Sequence, residues 1–209
     1  MPAQRKRPRP KTSGRPRSDA SRAAILKAAY QILREAGFAG FTVEGVAARA
    51  GAGKATIYRW WQTKGTLAIE AFLVALAPRV EASDDSTSAI ADLRLQVHHA
   101  AGVYRGRTGQ LLRELIAMGQ QDSTTSRALR TDFVEPRRQS ALRLLQRAIQ
   151  MGELPPGTDI HVLADALWGP IFHRLLVSYM PIDRNFVEQL LDLVLGGAAA
   201  GAGCNKRDR

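Results

Sequence analysis

Residues 41–72 read FTVEGVAARAGAGKATIYRWWQTKGTLAIEAF. Val43, Val46, Ala47 and Ala50 recur at i, i+3, i+4 and i+7 behind Thr42, whose hydroxyl can cap a first turn, and Gly51 follows where a left-handed residue closes a helix. After Gly51-Ala52-Gly53, the segment Lys54 to Trp61 puts Ile57 and Trp61 one turn apart on an inward face. Lys54, Ala55, Tyr58 and Arg59 then point elsewhere. Two short helices joined by a tight glycine turn, the second polar and aromatic outward, match the way a helix-turn-helix lays a reading helix in the major groove. Thr63 can cap a further helix from Lys64, with Leu67, Ala68, Ala71, Phe72 and Ala75 as its apolar stripe.

Helical spacing continues on both sides of this stretch. Upstream, Ile25, Ala29, Ile32, Leu33 and Ala36 define a helix from Asp19 that stops at Gly37. Downstream of a Ser/Asp-rich break at 83–88, apolar stripes run from Ile90 to Tyr104, Leu111 to Met118 and Leu142 to Ile149, with Pro136 interrupting the region before the last. A Gly/Pro loop at 152–157 leads to Thr158 or Asp159 and a helix that Gly169-Pro170 should bend, and Asp183 can cap a final one. No alternating strand pattern or internal repeat is present, so the fold class is all-α. The predicted organisation is a disordered basic arm over 1–18, a DNA-binding domain over 19–79 with the helix-turn-helix at 42–61, a helical domain over 80–196 and a flexible tail over 197–209.

The charge is as unevenly divided as the motifs. Of a formal +11, residues 1–66 carry 14 Lys/Arg against 3 Asp/Glu, whereas residues 67–209 carry 16 of each. The whole excess lies in the first third. A module that docks on phosphates concentrates charge in this way, and solubility alone gives no reason to. A membrane surface would also attract these cations, but residues 1–18, with seven Lys/Arg and four prolines, lack the bulky apolar face of a membrane-lying helix.

At these residues the chain resembles the tetracycline-repressor (TetR/AcrR) family of bacterial transcriptional regulators. The resemblance rests on Phe41-Thr42, Ala47, Ala50-Gly51, Lys54-Ala55-Thr56-Ile57-Tyr58, the aromatic pair Trp60-Trp61, and Lys64 followed by Leu67. With RAAILKAAYQILREAG at 22–37 it covers about the first 80 residues, and Gly152 to Leu195 resembles one C-terminal subtype of the family. It departs at Gly53, where a serine-like cap is frequent, and at Trp60, where histidine or another aromatic is common.

Side-chain chemistry gives each position a role of its own. The Thr56 hydroxyl suits a phosphate oxygen, and Tyr58 offers a phenol to phosphate and a ring to a thymine methyl; the resemblance implies contacts of this kind. Lys54 and Arg59 have the reach for guanine edges or for backbone phosphates. Ala55 is small enough for close approach and can touch a thymine methyl. Lys64 adds an ammonium to the free amides of a helix start, and the resemblance assigns it a phosphate. Thr42 has two readings, phosphate contact or helix cap; Trp60 has packing or groove rim, and Trp61 reads as core. Arg15 and Arg17 in Gly14-Arg15-Pro16-Arg17 read as a nonspecific basic tail or as a minor-groove hook.

For the neutral helices the resemblance implies a homodimer paired through its last two major helices and a small-molecule effector site. The interface expectation falls on Trp168, Ile171, Phe172, Leu175, Leu176, Phe186, Leu190, Leu191 and Val194, which also suit a monomer core. Pocket candidates are Tyr104, Leu111, Leu115, Met118, Phe133, Leu145 and Trp168, again with core packing as the alternative. The expected partner is double-stranded operator DNA, palindromic if two reading helices sit about one turn, ~34 Å, apart. A repressor released by an effector is the expected function, and a constitutive DNA binder without effector is the alternative. His161 with Asp165, His173 and His98-His99 offer a thin case for a metal or general base, but no HExxH, GxSxG or Gly-rich phosphate loop supports catalysis. No enzyme activity, cofactor, metal or membrane association is expected. The lone Cys204 and the lack of a long apolar run fit a cytoplasmic setting.

Overall fold

The computed structural model describes residues 15–76, 87–178 and 180–201, with side chains from Asp19 to Ala199. The expected arm up to Gly14, the break at 83–86, Tyr179 and Cys204 lie outside the described residues. The described chain is all-α: α1 (Arg15–Ala36), α2 (Val43–Ala50), α3 (Lys54–Trp60), α4 (Lys64–Leu76), α5 (Ala89–Val103), α6 (Gly106–Gly119), α7 (Ser123–Ala128), α8 (Glu135–Gln150), α9 (Ile160–Leu176) and α10 (Arg184–Gly201), with a π-helical turn at Leu129–Val134 between α7 and α8.

Local chemistry accounts for most boundaries. The Thr42 hydroxyl accepts from Gly45 N at 3.0 Å, and Gly51 closes α2 at φ 62°, donating back to Ala47 and Ala48 carbonyls. Ser88, Asp122, Asp159 and Asp183 cap the starts of α5, α7, α9 and α10 by the same device. Pro136 is the second residue of α8, directly after the π-helical turn, so the helical path runs through it rather than stopping there. α9 runs on through Gly169-Pro170 as one element; Ala166, whose carbonyl loses its partner to Pro170, is exposed to water.

Three boundaries differ from expectation. α1 starts at Arg15, because Pro16 falls in the first turn where proline is tolerated, so Arg15 and Arg17 are helical rather than part of an extended arm. α10 continues to Gly201 where a flexible tail was expected: Ala198, Ala199 and Ala200 prolong a helix already anchored by Val187, Leu191 and Leu195. Residues 123–134 form α7 and the π-helical turn, which the apolar pattern did not announce.

The helices pack in two groups that share a contact zone. α1 lies against α2 and α4, and α4 also lies against α6 and α7. Behind them α5 packs on α8 and α10, and α9 on α8 and α10. Asp92 on α5, buried, is met by Arg147 of α8 at 3.1 Å, a polar tie inside this second group.

Candidate nucleic-acid interface

α3 is held from behind and bare in front. Ile57 and Trp61 are buried, the latter 3% exposed, with its indole N–H donating to Glu70 of α4 at 2.6 Å. Glu70 also pairs with Arg22 of α1, whose guanidinium lies 5.7 Å from the Trp60 ring and 6.0 Å from that of Trp61. This knot joins α1, α3 and α4 and explains why Trp61 is core; none of its long-range members could be paired from spacing alone. Trp60 is 40% exposed at the rim of the same face, so it both packs and remains accessible.

On the open side the structure brings together Lys54, Ala55, Tyr58 and Arg59, all exposed, with Thr56 half-buried beside them. Tyr58 is 51% exposed. Lys54 Nζ stands 3.3 Å from Glu44 on α2. The backbone N–H of Glu44 and that ammonium hold the Glu44 carboxyl below the usual carboxylate range. Gly53 makes no side-chain cap for α3, in keeping with the absent serine. Lys64, exposed at the start of α4, is poised 4.6 Å from the Phe38 ring centroid. Thr42 is exposed, with its hydroxyl engaged in the α2 cap. Side chains at Arg15 and Arg17 lie outside the described part, so only their backbone is placed, at the start of α1.

The face is tied to the helices behind it at two points that sequence reading missed. Arg107 of α6 donates to the Arg34 and Leu33 carbonyls at 3.0 and 3.1 Å, satisfying the end of α1, and Glu114 of α6 accepts from Phe38 N at 2.7 Å. At Gly65, next to Lys64, an added Cβ would come 2.1 Å from Thr125 Oγ1 of α7 and 2.9 Å from Met118. Glycine alone permits that approach of α4 to α7.

A cavity of about 370 Å³ lies in the second group, between the π-helical turn, α8 and α9. Its walls are Tyr104, Phe133, Arg137, Trp168 and Phe172, with Arg138, Asp165 and Gly169 among the remaining lining residues. Of the sequence-predicted pocket residues, Tyr104, Phe133 and Trp168 line it; Leu111, Leu115 and Leu145 are buried core, and half-buried Met118 faces Gly65. The predicted interface residues also divide. Ile171, Leu175, Leu190 and Leu191 are buried within the protomer; Trp168, Phe172, Phe186 and Val194 are half-buried, and only Leu176 is well exposed. Periodicity had marked the inward faces of α9 and α10. Their outward faces carry Val162, Leu176 and Leu193, with Val177 just beyond the end of α9. The histidine alternative gains nothing: among the described residues no group of three His, Cys, Asp or Glu could hold a metal.

Residues 25–71 match the family description "Bacterial regulatory proteins, tetR family", and residues 83–194 match "Tetracyclin repressor-like, C-terminal domain". The chain belongs to the TetR family. Within that family it is similar to YdeS, an HTH-type transcriptional regulator of Bacillus subtilis, at 38% identity over 90% of this chain and 94% of that protein. It is also similar to the DNA-binding transcriptional repressor TetR of Mycobacteroides abscessus, at 30% identity over 86% and 94% respectively. The crystal structure of the TetR family transcription regulator SCO0332 superposes with a TM-score of 0.74, at 36% identity over 85% of this chain and 97% of that one. This TetR-family chain is therefore a transcriptional regulator that binds DNA, not an enzyme. Among its described residues no helix is long and apolar enough to cross a membrane.

Proposed function

We propose that this regulator is a repressor, bound to a palindromic operator as a homodimer and released by a small molecule in the 370 Å³ cavity. Thr56 and Tyr58 would meet phosphates and a thymine edge, Lys54 and Arg59 guanines or phosphates, and Lys64 the backbone beside the groove, while Trp60 would rim it. Ala55 lets α3 sit deep, and Thr42 adds its backbone N–H, since its hydroxyl is already used. Arg15 and Arg17, at the head of α1, add sequence-independent attraction to phosphate. Pairing of two protomers would use the outward faces of α9 and α10, where Val162, Leu176 and Leu193 are exposed.

The observation that carries release is a chain of rings. Phe133, a wall of the cavity, lies 6.3 Å from Phe72 on α4 and 6.3 Å from Tyr104, which lies 5.9 Å from Phe172. A guest that shifts Phe133 therefore pushes on the helix that bears Lys64. Because Arg107 and Glu114 hold the end of α1 to α6, the reading head moves with the helices behind it rather than swinging free. A shift that changes the separation of two reading heads weakens both half-sites together, and a linkage of about 1–3 kcal/mol changes operator affinity roughly 5- to 150-fold.

The test is binding of the full-length protein to duplexes selected from a random library, followed by a small-molecule screen for displacement. Two half-sites about 34 Å apart and at least one compound lowering affinity within that range are expected. A single half-site per complex would contradict the dimer, and a screen without any displacing compound would contradict the effector.

A further inference from the structure

The cavity presents hydrogen-bond donors and lacks acceptors to match them. Two polar atoms of its lining residues are buried without a hydrogen bond of good geometry: the Trp168 indole N–H, and the Tyr104 hydroxyl, whose oxygen Arg137 approaches as a donor while its own proton has no acceptor. Buried polar groups are ordinarily satisfied, so two donors beside one cavity whose protons have no acceptor favour a guest that brings one. The third wall donor is Arg137. Its guanidinium donates to the Phe133 carbonyl at 2.9 Å and lies 4.0 Å from that residue's ring centroid. No carboxylate pairs with it among the described residues, and burial pushes its pKa down. Burial also raises Tyr104 to about 12, so the phenol keeps its proton at neutral pH and acts as a donor, although the nearby Arg137 opposes the shift. The carboxylate in the lining, Asp165, is already engaged by Arg138.

The apolar remainder is aromatic, with Phe133 and Phe172 beside the Trp168 and Tyr104 rings. A volume of about 370 Å³ is near the lower end of small-molecule sites, which run roughly 300–1,000 Å³. We propose that the cavity takes a compact organic acid with a flat apolar body, whose carboxylate is received by the Arg137 guanidinium, the Tyr104 hydroxyl and the Trp168 N–H. A neutral amide of the same shape offers one carbonyl acceptor in place of two carboxylate oxygens, turns its N–H donors toward the remaining donor and leaves the guanidinium charge uncompensated. An amine meets like charge. The inference names the ligand class for the effector site and so rests on the effector reading given above.

The probes are 2-naphthoate, 2-naphthamide and 2-naphthylmethylamine, which share one ring system. Calorimetry on the full chain should give the acid at least about tenfold tighter binding than the amide, with the amine weakest. Tyr104→Phe should weaken the acid about tenfold and the amide less, while leaving the melting temperature of the ligand-free protein within about a degree or two of the parent, because it deletes a buried hydroxyl whose proton has no acceptor. Loss of packing alone would lower both affinities and the melting temperature. Arg137→Lys keeps the charge and should retain part of the acid preference; Arg137→Gln should abolish it. Equal binding of acid and amide, preference for the amine, or no binding of any of the three overturns the proposal. Operator binding measured alongside separates the two readings. Acid binding that leaves operator affinity unchanged refutes the effector role alone, whereas compounds that displace the operator without acid preference refute the ligand class alone.

Discussion

The reading head and the cavity behind it are both rich in donors, yet they hold them in opposite ways. Around α3, Lys54, Tyr58, Arg59 and Lys64 stand in water, lightly occupied by Glu44 or by an aromatic face. In the cavity, Tyr104 is buried and Trp168 and Arg137 are half-buried, and the Tyr104 and Trp168 protons have no acceptor. Exposed cations in a dense salt atmosphere act over a distance of about one Debye length, ~8–10 Å, and are screened by ions; withdrawn donors act only at contact. Attraction to a polyanion is therefore built for reach, and recognition of a small guest for geometry.

That contrast can be broken most forcefully at the paired tryptophans. Trp61→Ala should cost about 3–5 kcal/mol in unfolding free energy, because a buried ring and its bond to Glu70 are both lost. Trp60→Ala, at the exposed rim, should cost under about 1 kcal/mol. Chemical denaturation of the two variants checks the ratio; equal losses would mean that the face is not bare in front and anchored behind.

Tyr104 offers the next largest effect. Its pKa in the fold, about 12, exceeds the ordinary value of 10, so between those values the unfolded chain loses a proton that the folded one keeps. Stability from this group should therefore be intact below pH 10 and fall above it, by about 2–3 kcal/mol at pH 12. Tyr104→Phe should remove that part of the alkaline loss. Superimposable alkaline profiles for the parent and this variant would place the phenol in water.

Gly65 joins the two regions. Gly65→Ala puts a methyl onto Thr125 and Met118, and overpacking of this kind costs about 1–3 kcal/mol. A melting temperature lowered by roughly 2–4 °C per kcal/mol is expected. An unchanged melt would mean that α4 and α7 do not meet there.

The helix-turn-helix was legible in the sequence because its constraints are local. Thr42 caps three residues ahead, Gly51 takes φ 62°, and Trp61 is buried one turn from Ile57. Asp159 and Asp183 were legible caps for the same reason. The rear helices were legible as helices but not as surfaces. Spacing shows that Ile171, Leu175, Leu190 and Leu191 share faces with other apolar residues, but whether a face meets its own chain or a second copy depends on tertiary placement. Residues 123–134 carry hydroxyls and charges with only Phe133 fully buried among their large apolar side chains, so α7 and the π-helical turn left little stripe to find. Arg107, Glu114 and the Arg22–Glu70–Trp61 knot join residues far apart in the chain, beyond any periodic signal.

At the smallest scale, Tyr58→Phe and Lys64→Ala should each weaken operator binding about fivefold, near 1 kcal/mol, with melting temperatures within a degree or two of the parent. Lys64→Ala should also flatten the salt dependence, and Tyr58→Phe should leave it unaltered. Fluorescence anisotropy with labelled duplex reads both. Parent-like affinity in the two variants would remove α3 and the start of α4 from the contact surface.

The most direct trial of the claim that the cationic first third docks on duplex DNA is the salt dependence of that binding for the full-length protein. If about three phosphates are neutralised per protomer, log affinity should fall with log salt at a slope of about −5 for the dimer. A slope near zero, or no complex with duplex DNA at about 50 mM salt, would contradict it.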